Sequence, residues 1–264
     1  MKDILSDGAR GTLDALARER ALLVFDFDGT LAPIVELPGA ATMRESTRAL
    51  LRIASLLYPC AVVSGRSRAD LAPRLAGVPL LAFVGNHGAE AGFGPVDLGP
   101  RPRVEAWLAA LRAALADAPG IEIEDKGLSL ALHYRRAPDL RRAEARARAA
   151  AEALEGARVF GGHAVVNVAP AGACDKGGAV AALLRRIGWR QALYVGDDVT
   201  DEDAFAAEGV TVSVRVGRST RSAARFFVPR QADVDALLRG LIAARRRLDG
   251  RGERLEGMVR AGGA

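Results

Sequence analysis

The sequence predicts an α/β protein built on a parallel sheet, with a smaller α+β unit inserted into it. Three observations predict this. Apolar runs of strand length alternate with stretches whose apolar residues recur at helical spacing, the order that builds βαβ units. Each run ends in a cluster of polar residues, so a site is expected where the carboxyl ends of the strands converge. From about residue 97 to 167 the pattern turns to in–out alternation, which an antiparallel sheet with one covered face produces.

Residues 9–19 read as an amphipathic helix leading to the first apolar run, Ala21 to Phe25. That run is a short buried strand, followed directly by Asp26-Phe27-Asp28-Gly29-Thr30-Leu31. Spacing i, i+2 puts both carboxylates on one face of a strand. Two acids there are costly unless a cation or partner compensates, and Mg²⁺, which takes oxygen ligands, is the simplest compensation. Gly29 frees the backbone to turn and Thr30 adds a hydroxyl. Taken alone, Asp-x-Asp-Gly reads equally as a strand followed by an Asp-Gly turn.

Met43 to Leu57 reads as a helix ended by Pro59, and Cys60 to Val63 as a second buried strand running into Ser64-Gly65-Arg66. A small hydroxyl residue at a strand end can donate to a phosphate oxygen, and Gly65 lets the backbone come close. A short helix (68–75) and a third strand (80–84) open into Gly85-Asn86-His87-Gly88-Ala89-Glu90, a loop of amide, imidazole and carboxylate groups. Pro95, Gly99, Pro100 and Pro102 then mark a hinge-like stretch. A helix with Val104, Trp107, Leu108, Leu111 and Leu115 on one side follows, then Ile121 to Asp125, Lys126, and the alternating run Leu128 to Arg135. Ser129, Ala131, His133 and Arg135 share the face opposite Leu128, Leu130, Leu132 and Tyr134. With Glu124 and Lys126 before it, that face is a candidate for sugar recognition. A helix over 138–154 and strands near 157–160 and 163–168 complete the insert.

The parallel sheet resumes after Ala169 to Gly172, a second hinge. Asp175 caps a helix that starts at Lys176 and stops at Gly188. The strand over 191–195 ends in Gly196-Asp197-Asp198-Val199-Thr200-Asp201-Glu202-Asp203, where Thr200 and Asp203 form an expected capping box for a helix reaching Glu208. Macrodipole stabilisation accounts for Glu202 and Asp203 but not for Asp197 and Asp198 at a buried strand end. Strands near 210–214 and 226–228 and a helix over 232–248 close the domain. These edges divide the chain into a discontinuous core (1–96 and 168–249), an insert (97–167) and a flexible tail (250–264).

Composition narrows the function classes. At 264 residues, half of them hydrophobic, the chain can bury a sizeable core. No apolar run reaches membrane-spanning length and the first residues show no secretory apolar stretch, so no membrane partner and a cytoplasmic location are expected. Cys60 and Cys174 stand in unrelated contexts, which argues against a disulfide or zinc site. The formal charge of +5 comes from arginines spread along helices without interleaved aromatics, so nucleic acid is not an expected partner. Only Lys2, Lys126 and Lys176 among the 37 basic residues are lysines. Where nearly every basic position is Arg, a Lys marks a place for a compact ammonium. The sequence leaves oligomeric state open, and a monomer is consistent with it.

In order, the chain carries Asp-x-Asp-Gly-Thr-Leu, Ser-Gly-Arg, Asp-Lys-Gly and Gly-Asp-Asp-x-Thr-Asp-Glu. This set resembles the haloacid dehalogenase superfamily of phosphohydrolases. Gly85 to Glu90, Glu124-x-Lys126-x-x-Ser129 with His133-Tyr134-Arg135, and Gly196 to Asp203 resemble its trehalose-6-phosphate phosphatase branch, over roughly residues 20–245. The resemblance implies a Rossmann-like core with an α+β cap domain over 97–167, and Mg²⁺-dependent hydrolysis of trehalose 6-phosphate. It implies Asp26 as nucleophile, Asp28 as general acid and base, and Ser64 and Lys176 as phosphate-holding groups. Mg²⁺ would be held by Asp26, Asp28, Asp197 and Asp198. Substrate contacts would come from Gly29, Thr30, Gly65, Arg66, Asn86, His87 and Glu90 of the core and from Glu124, Lys126, Ser129, His133, Arg135, His163 and Asn167 of the cap, with Asp201 beside the metal. One departure stands out: the family pattern Gly-Lys-x-x-x-Glu-x-Arg/Lys-Pro reads Gly162-His163-Ala164-Val165-Val166-Asn167-Val168-Ala169-Pro170 here. The alternatives are a phosphatase for another sugar phosphate, of sucrose, glucosylglycerol or mannosylglycerate type, and a catalytically silent sugar-phosphate-binding relative.

Overall fold

The computed structural model describes residues 1–35 and 37–261, the side chains of Pro38 and of residues 250–261 excepted. Lys2–Asp3 (β1) is a two-residue edge strand that the sequence reading did not contain. The expected order follows: Arg10–Arg18 (α1), Ala21–Phe25 (β2), Glu45–Leu57 (α2), Cys60–Val63 (β3), Arg68–Arg74 (α3) and Ala82–Val84 (β4). The insert holds Arg101–Ala114 (α4), Glu122–Asp125 (β5), Leu130–His133 (β6), Leu140–Glu152 (α5), Ala157–Gly162 (β7) and Val165–Pro170 (β8). The chain then returns with Lys176–Ile187 (α6), Gln191–Gly196 (β9), Glu202–Phe205 (α7), Val210–Val216 (β10), Phe226–Val228 (β11) and Val234–Ala261 (α8).

The first sheet is parallel throughout, in the order β1-β11-β10-β9-β2-β3-β4. β2 is fully buried because helices cover both faces. Its alternate residues divide between two cores: Leu23 and Phe25 pack with residues of α1, α2 and α8, and Leu22 and Val24 with Val180 and Leu183 of α6. The neighbours of β2 are β3, reached by a short crossover, and β9, reached only after the insert, so the strand order reverses beside Asp26. A site is expected at such a switch point.

The second sheet is antiparallel, in the order β5-β6-β8-β7. Leu130, Leu132, Tyr134, Val166 and Val168 bury one face against Trp107 and Leu111 of α4 and Ala147 of α5. Glu124, Ala131 and Asn167 are register partners on the other face.

Some expected boundaries shift. His163 and Ala164 form the β7–β8 turn, Ala164 at φ 56°, so His163 leaves the strand face on which the sequence placed it. The capping box joins Asp198 and Asp201, not Thr200 and Asp203, and the helix after it is a single turn, α7. The last helix continues through residues 250–261, read as tail from the sequence, and residues 262–264 lie outside the described residues. Among the described residues no helix is long and apolar enough to cross a membrane.

Candidate active site

Five segments meet at the carboxyl ends of β2, β3, β4 and β9 and the start of α6. Asp26 follows β2, its amide donating to Val195 O of β9 at 2.9 Å, and its side chain is 6 % exposed. Gly29 turns the chain at φ 77°, and a Cβ there would run into the Asp197 carboxylate, so glycine lets the two acid loops touch. Lys176 rises from the first turn of α6, which Asp175 caps by accepting from Gly178 N at 2.8 Å. Its buried Nζ sits 3.0 Å from Asp26 and 2.7 Å from Asp201.

The acids crowd one point. Carboxylate oxygens of Asp26, Asp197 and Asp201 lie within 4.8 Å of one another. Burial and the neighbouring acids push Asp26 well above the usual carboxylate range, against the pull of Lys176. Burial and Asp201 push Asp197 up to about 7. Burial disfavours the Lys176 charge, but Asp201 and Asp26 outweigh it and its pKa rises. A hard divalent cation fits this oxygen set, because one ammonium leaves the acids short of positive charge.

Asp201 is not free to bind such a cation. It accepts from Lys176 Nζ and Tyr194 Oη, both at 2.7 Å, and from the amides of Asp197 and Asp198, both at 2.9 Å. Four bonds fill a carboxylate. Asp201 therefore ties lysine to the acid loop. Tyr194, which the sequence reading missed as one more apolar strand residue, completes that tie. Asp198 stands apart from the three-acid cluster and accepts from Val199 N at 2.7 Å as the cap of the following turn.

Asp28 is gripped by Arg66 through two bonds of 2.7 Å, and Arg66 reaches Asp70 at 2.6 Å. Asp70 in turn pairs with Arg74, a buttress the sequence did not reveal. Ser64 is buried beside them, its Oγ accepting from Arg66 N at 3.2 Å.

A cavity of about 150 Å³ opens between the two sheets. From the parallel-sheet unit, Asp26, Asp28, Ser64, Gly65, Arg66, His87, Lys176, Asp197 and Asp198 line it. From the second sheet come Glu124, Lys126, His133, Arg135, His163 and Asn167. Burial alone would raise Glu124, but the hydrogen bond with His133 at 2.7 Å and the Lys126 charge bring it down, so it stays ionised. Lys126 Nζ donates to Gly65 O at 3.0 Å and burial lowers its pKa. His87 is 8 % exposed, and neither ring nitrogen has a hydrogen-bond partner, although Asn167 lies alongside. Burial holds it well below the usual histidine range and neutral.

Several expected substrate contacts do not face the cavity. Thr30 is fully buried and leans on Asp197 at 3.4 Å. Gly29 serves the acid loops as described. Asn86, Glu90 and Ser129 bond to one another and to backbone, so the polar loop read as ligand-facing is turned inward. Ala169, paired across the sheet with Arg158, does not border the cavity.

Residues 24–230 match the family described as trehalose-phosphatase. The chain belongs to that family. A trehalose-phosphate phosphatase of Mycobacterium marinum is 36 % identical over 224 residues, which cover 78 % of this chain and 57 % of that protein. The chain thus spans a little over half the length of such curated family members. The C-terminal domain of the C. albicans trehalose-6-phosphate phosphatase superposes with a TM-score of 0.76 at 26 % identity, covering 89 % of this chain and 97 % of that one. A sugar phosphatase of HAD subclass IIB, 15 % identical with a TM-score of 0.60, shares the fold, as the family resemblance implied.

Proposed function

We propose that this chain hydrolyses trehalose 6-phosphate to trehalose and phosphate through an aspartyl-phosphate on Asp26, with Mg²⁺ as cofactor. The reading rests on one observation above all: Asp26, Ser64, Lys176 and Asp197 line the same cavity as Glu124, Lys126, His133 and Arg135 of the insert. Asp26 attacks phosphorus as a carboxylate. Lys176, 3.0 Å away, favours that ionised form and then meets the phosphate oxygens beside Ser64. Asp28 gives its proton to the leaving sugar oxygen and later takes one from the attacking water, the first transfer leaving it ready for the second. Arg66 holds Asp28 through two charge-assisted bonds, and on this reading it exchanges Asp28 for the substrate phosphate as Asp28 turns to the leaving oxygen.

Mg²⁺ would be held by the carboxylates of Asp26 and Asp197 and the main-chain carbonyl of Asp28. Bound there, it supplies charge that offsets repulsion between an anionic nucleophile and an anionic ester. Asp201 orients Lys176 and the Asp197–Asp198 backbone. Glu124, Lys126, His133 and Arg135 read the sugar from the cap over 97–167, which keeps bulk water off the reacting phosphate.

The test is phosphate release across a panel of sugar phosphates, with Mg²⁺ and with excess chelator. Trehalose 6-phosphate is expected to be turned over with metal only, and Asp26→Asn to abolish turnover while the fold persists. Full turnover in chelator, or a variant that still turns over, contradicts the mechanism.

A further inference from the structure

We propose that Asn86 is a positioning residue: it latches the insert onto the parallel-sheet unit and so holds the Lys126 ammonium over the Ser64–Gly65 loop. This rests on the functional reading above. Asn86 belongs to the core loop after β4, yet its side chain spans both ends of the tight turn joining β5 to β6. Its Nδ2 donates to Lys126 O at 3.0 Å, and its Oδ1 accepts from Ser129 Oγ. The turn closes on itself through Lys126 N donating to Ser129 O at 3.0 Å. The second Nδ2 hydrogen goes to Glu90 Oε1 at 2.8 Å, and Glu90 Oε2 accepts from Arg68 N. Both Nδ2 hydrogens have acceptors and Oδ1 has a donor, and the residue is 1 % exposed, so the substrate cannot reach it.

The backbone around it is committed as well. Asn86 and His87 both hold positive φ, at 49° and 56°, a conformation that Asn and His adopt more readily than most side-chain-bearing residues. Asn86 N donates to Arg66 O at 2.7 Å and His87 N to Ser64 O at 2.9 Å. The loop is therefore fastened below to the Ser64–Arg66 segment and above to the Lys126–Ser129 turn. The two chain crossings between the units, near 97–100 and 170–175, lie elsewhere in sequence, so Asn86 ties the units at a separate point, beside the cross-unit bonds Lys126 Nζ–Gly65 O and Arg135–Val35 O. The Lys126 ammonium, on a side chain 11 % exposed, pulls the other way: desolvation favours its swinging out to water. Anchoring both ends of its turn leaves the side chain aimed at Gly65 O.

The experiment is a double-mutant cycle with Asn86→Ala, Lys126→Ala and the pair, read as kcat and KM on trehalose 6-phosphate. Each variant is also melted thermally, and Asn86→Ala is assayed on p-nitrophenyl phosphate, which carries no sugar. Asn86→Ala is expected to raise KM for the sugar phosphate by roughly tenfold or more, and to cost less than about threefold further once Lys126 is alanine. Its p-nitrophenyl phosphate rate is expected to stay within about twofold of the unsubstituted chain. Ser129→Ala, which removes one of the two grips, should act in the same direction more weakly, and it replaces Asn86→Ala in the cycle if that variant does not fold. An equal loss in both backgrounds would mean that Asn86 only supports the fold and would overturn the proposal. A parallel fall with p-nitrophenyl phosphate would place its effect on the phosphate centre instead, with the same consequence. Failure of the functional reading alone would appear as another sugar phosphate preferred by the unsubstituted chain, and the same cycle is then run on that ester.

Discussion

The side chain on which most of the centre leans is Asp201, because its four hydrogen bonds join a lysine, a tyrosine and two backbone amides. Asp201→Asn keeps the volume but removes the charge and turns an NH₂ group toward donors. Removing one partner of a buried ion pair costs about 3–5 kcal/mol. We expect a urea unfolding midpoint shifted accordingly and kcat down by roughly a hundredfold, with both measured on the same protein. A fully stable variant would mean that Lys176 is held by Asp26 alone. The neighbouring Asp197 sets a pH dependence. Its carboxyl titrates at about 7 in the folded chain against 3.8 ordinarily. Between those values the metal-free folded protein keeps a proton that the unfolded chain has lost, so this group makes stability fall as pH rises through the window. Cation binding needs the carboxylate, so the Mg²⁺-induced rise in Tm should be small at pH 5 and large at pH 8. A rise that is flat across that range would contradict the assignment. Asp26 and Asp197 were legible in the sequence because the ordered set of motifs, not Asp-x-Asp-Gly alone, singled them out, whereas Asp201 was expected to meet substrate and instead ties Lys176 to the acid loop. Asn86 and Glu90 were misread because a polar loop looks the same whether its groups face a ligand or each other.

At the scale of elements, α6 carries Lys176 to its place through close contact with the turn that holds Asp203. A Cβ on Gly177 would stand 2.5 Å from the Asp203 carbonyl oxygen, a backbone atom that cannot yield cheaply. Helix propensity favours Gly177→Ala by about 1 kcal/mol, and the overlap opposes it by about 1–3 kcal/mol. We expect net destabilisation in thermal melts, together with reduced turnover as Lys176 shifts. A stabilised, fully active variant would show that the helix slides freely. Most elements could be read from periodicity alone, since β2, β3 and β9 are unbroken apolar runs and α2 and α4 keep one apolar face. β1 could not, because two residues carry no pattern. The β7–β8 turn was also misplaced: Gly161-Gly162 looks like a turn but pairs with Val165 and Val166 as strand.

For the molecule as a whole, the proposed function makes substrate choice depend on what the second sheet offers across the cavity. Asn167 and His163 border it, and neither matches the charged residue of the family pattern. Charge-assisted hydrogen bonds are about twice as strong as neutral ones, so preference for trehalose 6-phosphate over glucose 6-phosphate should be modest in this chain. His163→Lys with Asn167→Glu is expected to raise the ratio of kcat/KM for those two esters by roughly tenfold, with a lower Tm because a carboxylate enters a buried position. An unchanged ratio would mean that this strand does not read the sugar. The two-unit architecture itself was legible, since alternation replaces helical-and-strand order between the two hinges. How firmly the units hold each other was not, because the ties run between residues 40 and more positions apart.

The pairing of β2 with β9 also has a temporal side. The strand that leads into Asp26 is made before its neighbour, which ends at Gly196, with the whole insert translated between them. That insert has its own apolar core and can settle while the ribosome is still adding residues. Asp26 therefore waits in the growing chain without Lys176, Asp197 or Asp201 beside it. On the proposed reading, a nascent chain would neither gather a cation nor attack an ester until synthesis had passed the ninth strand.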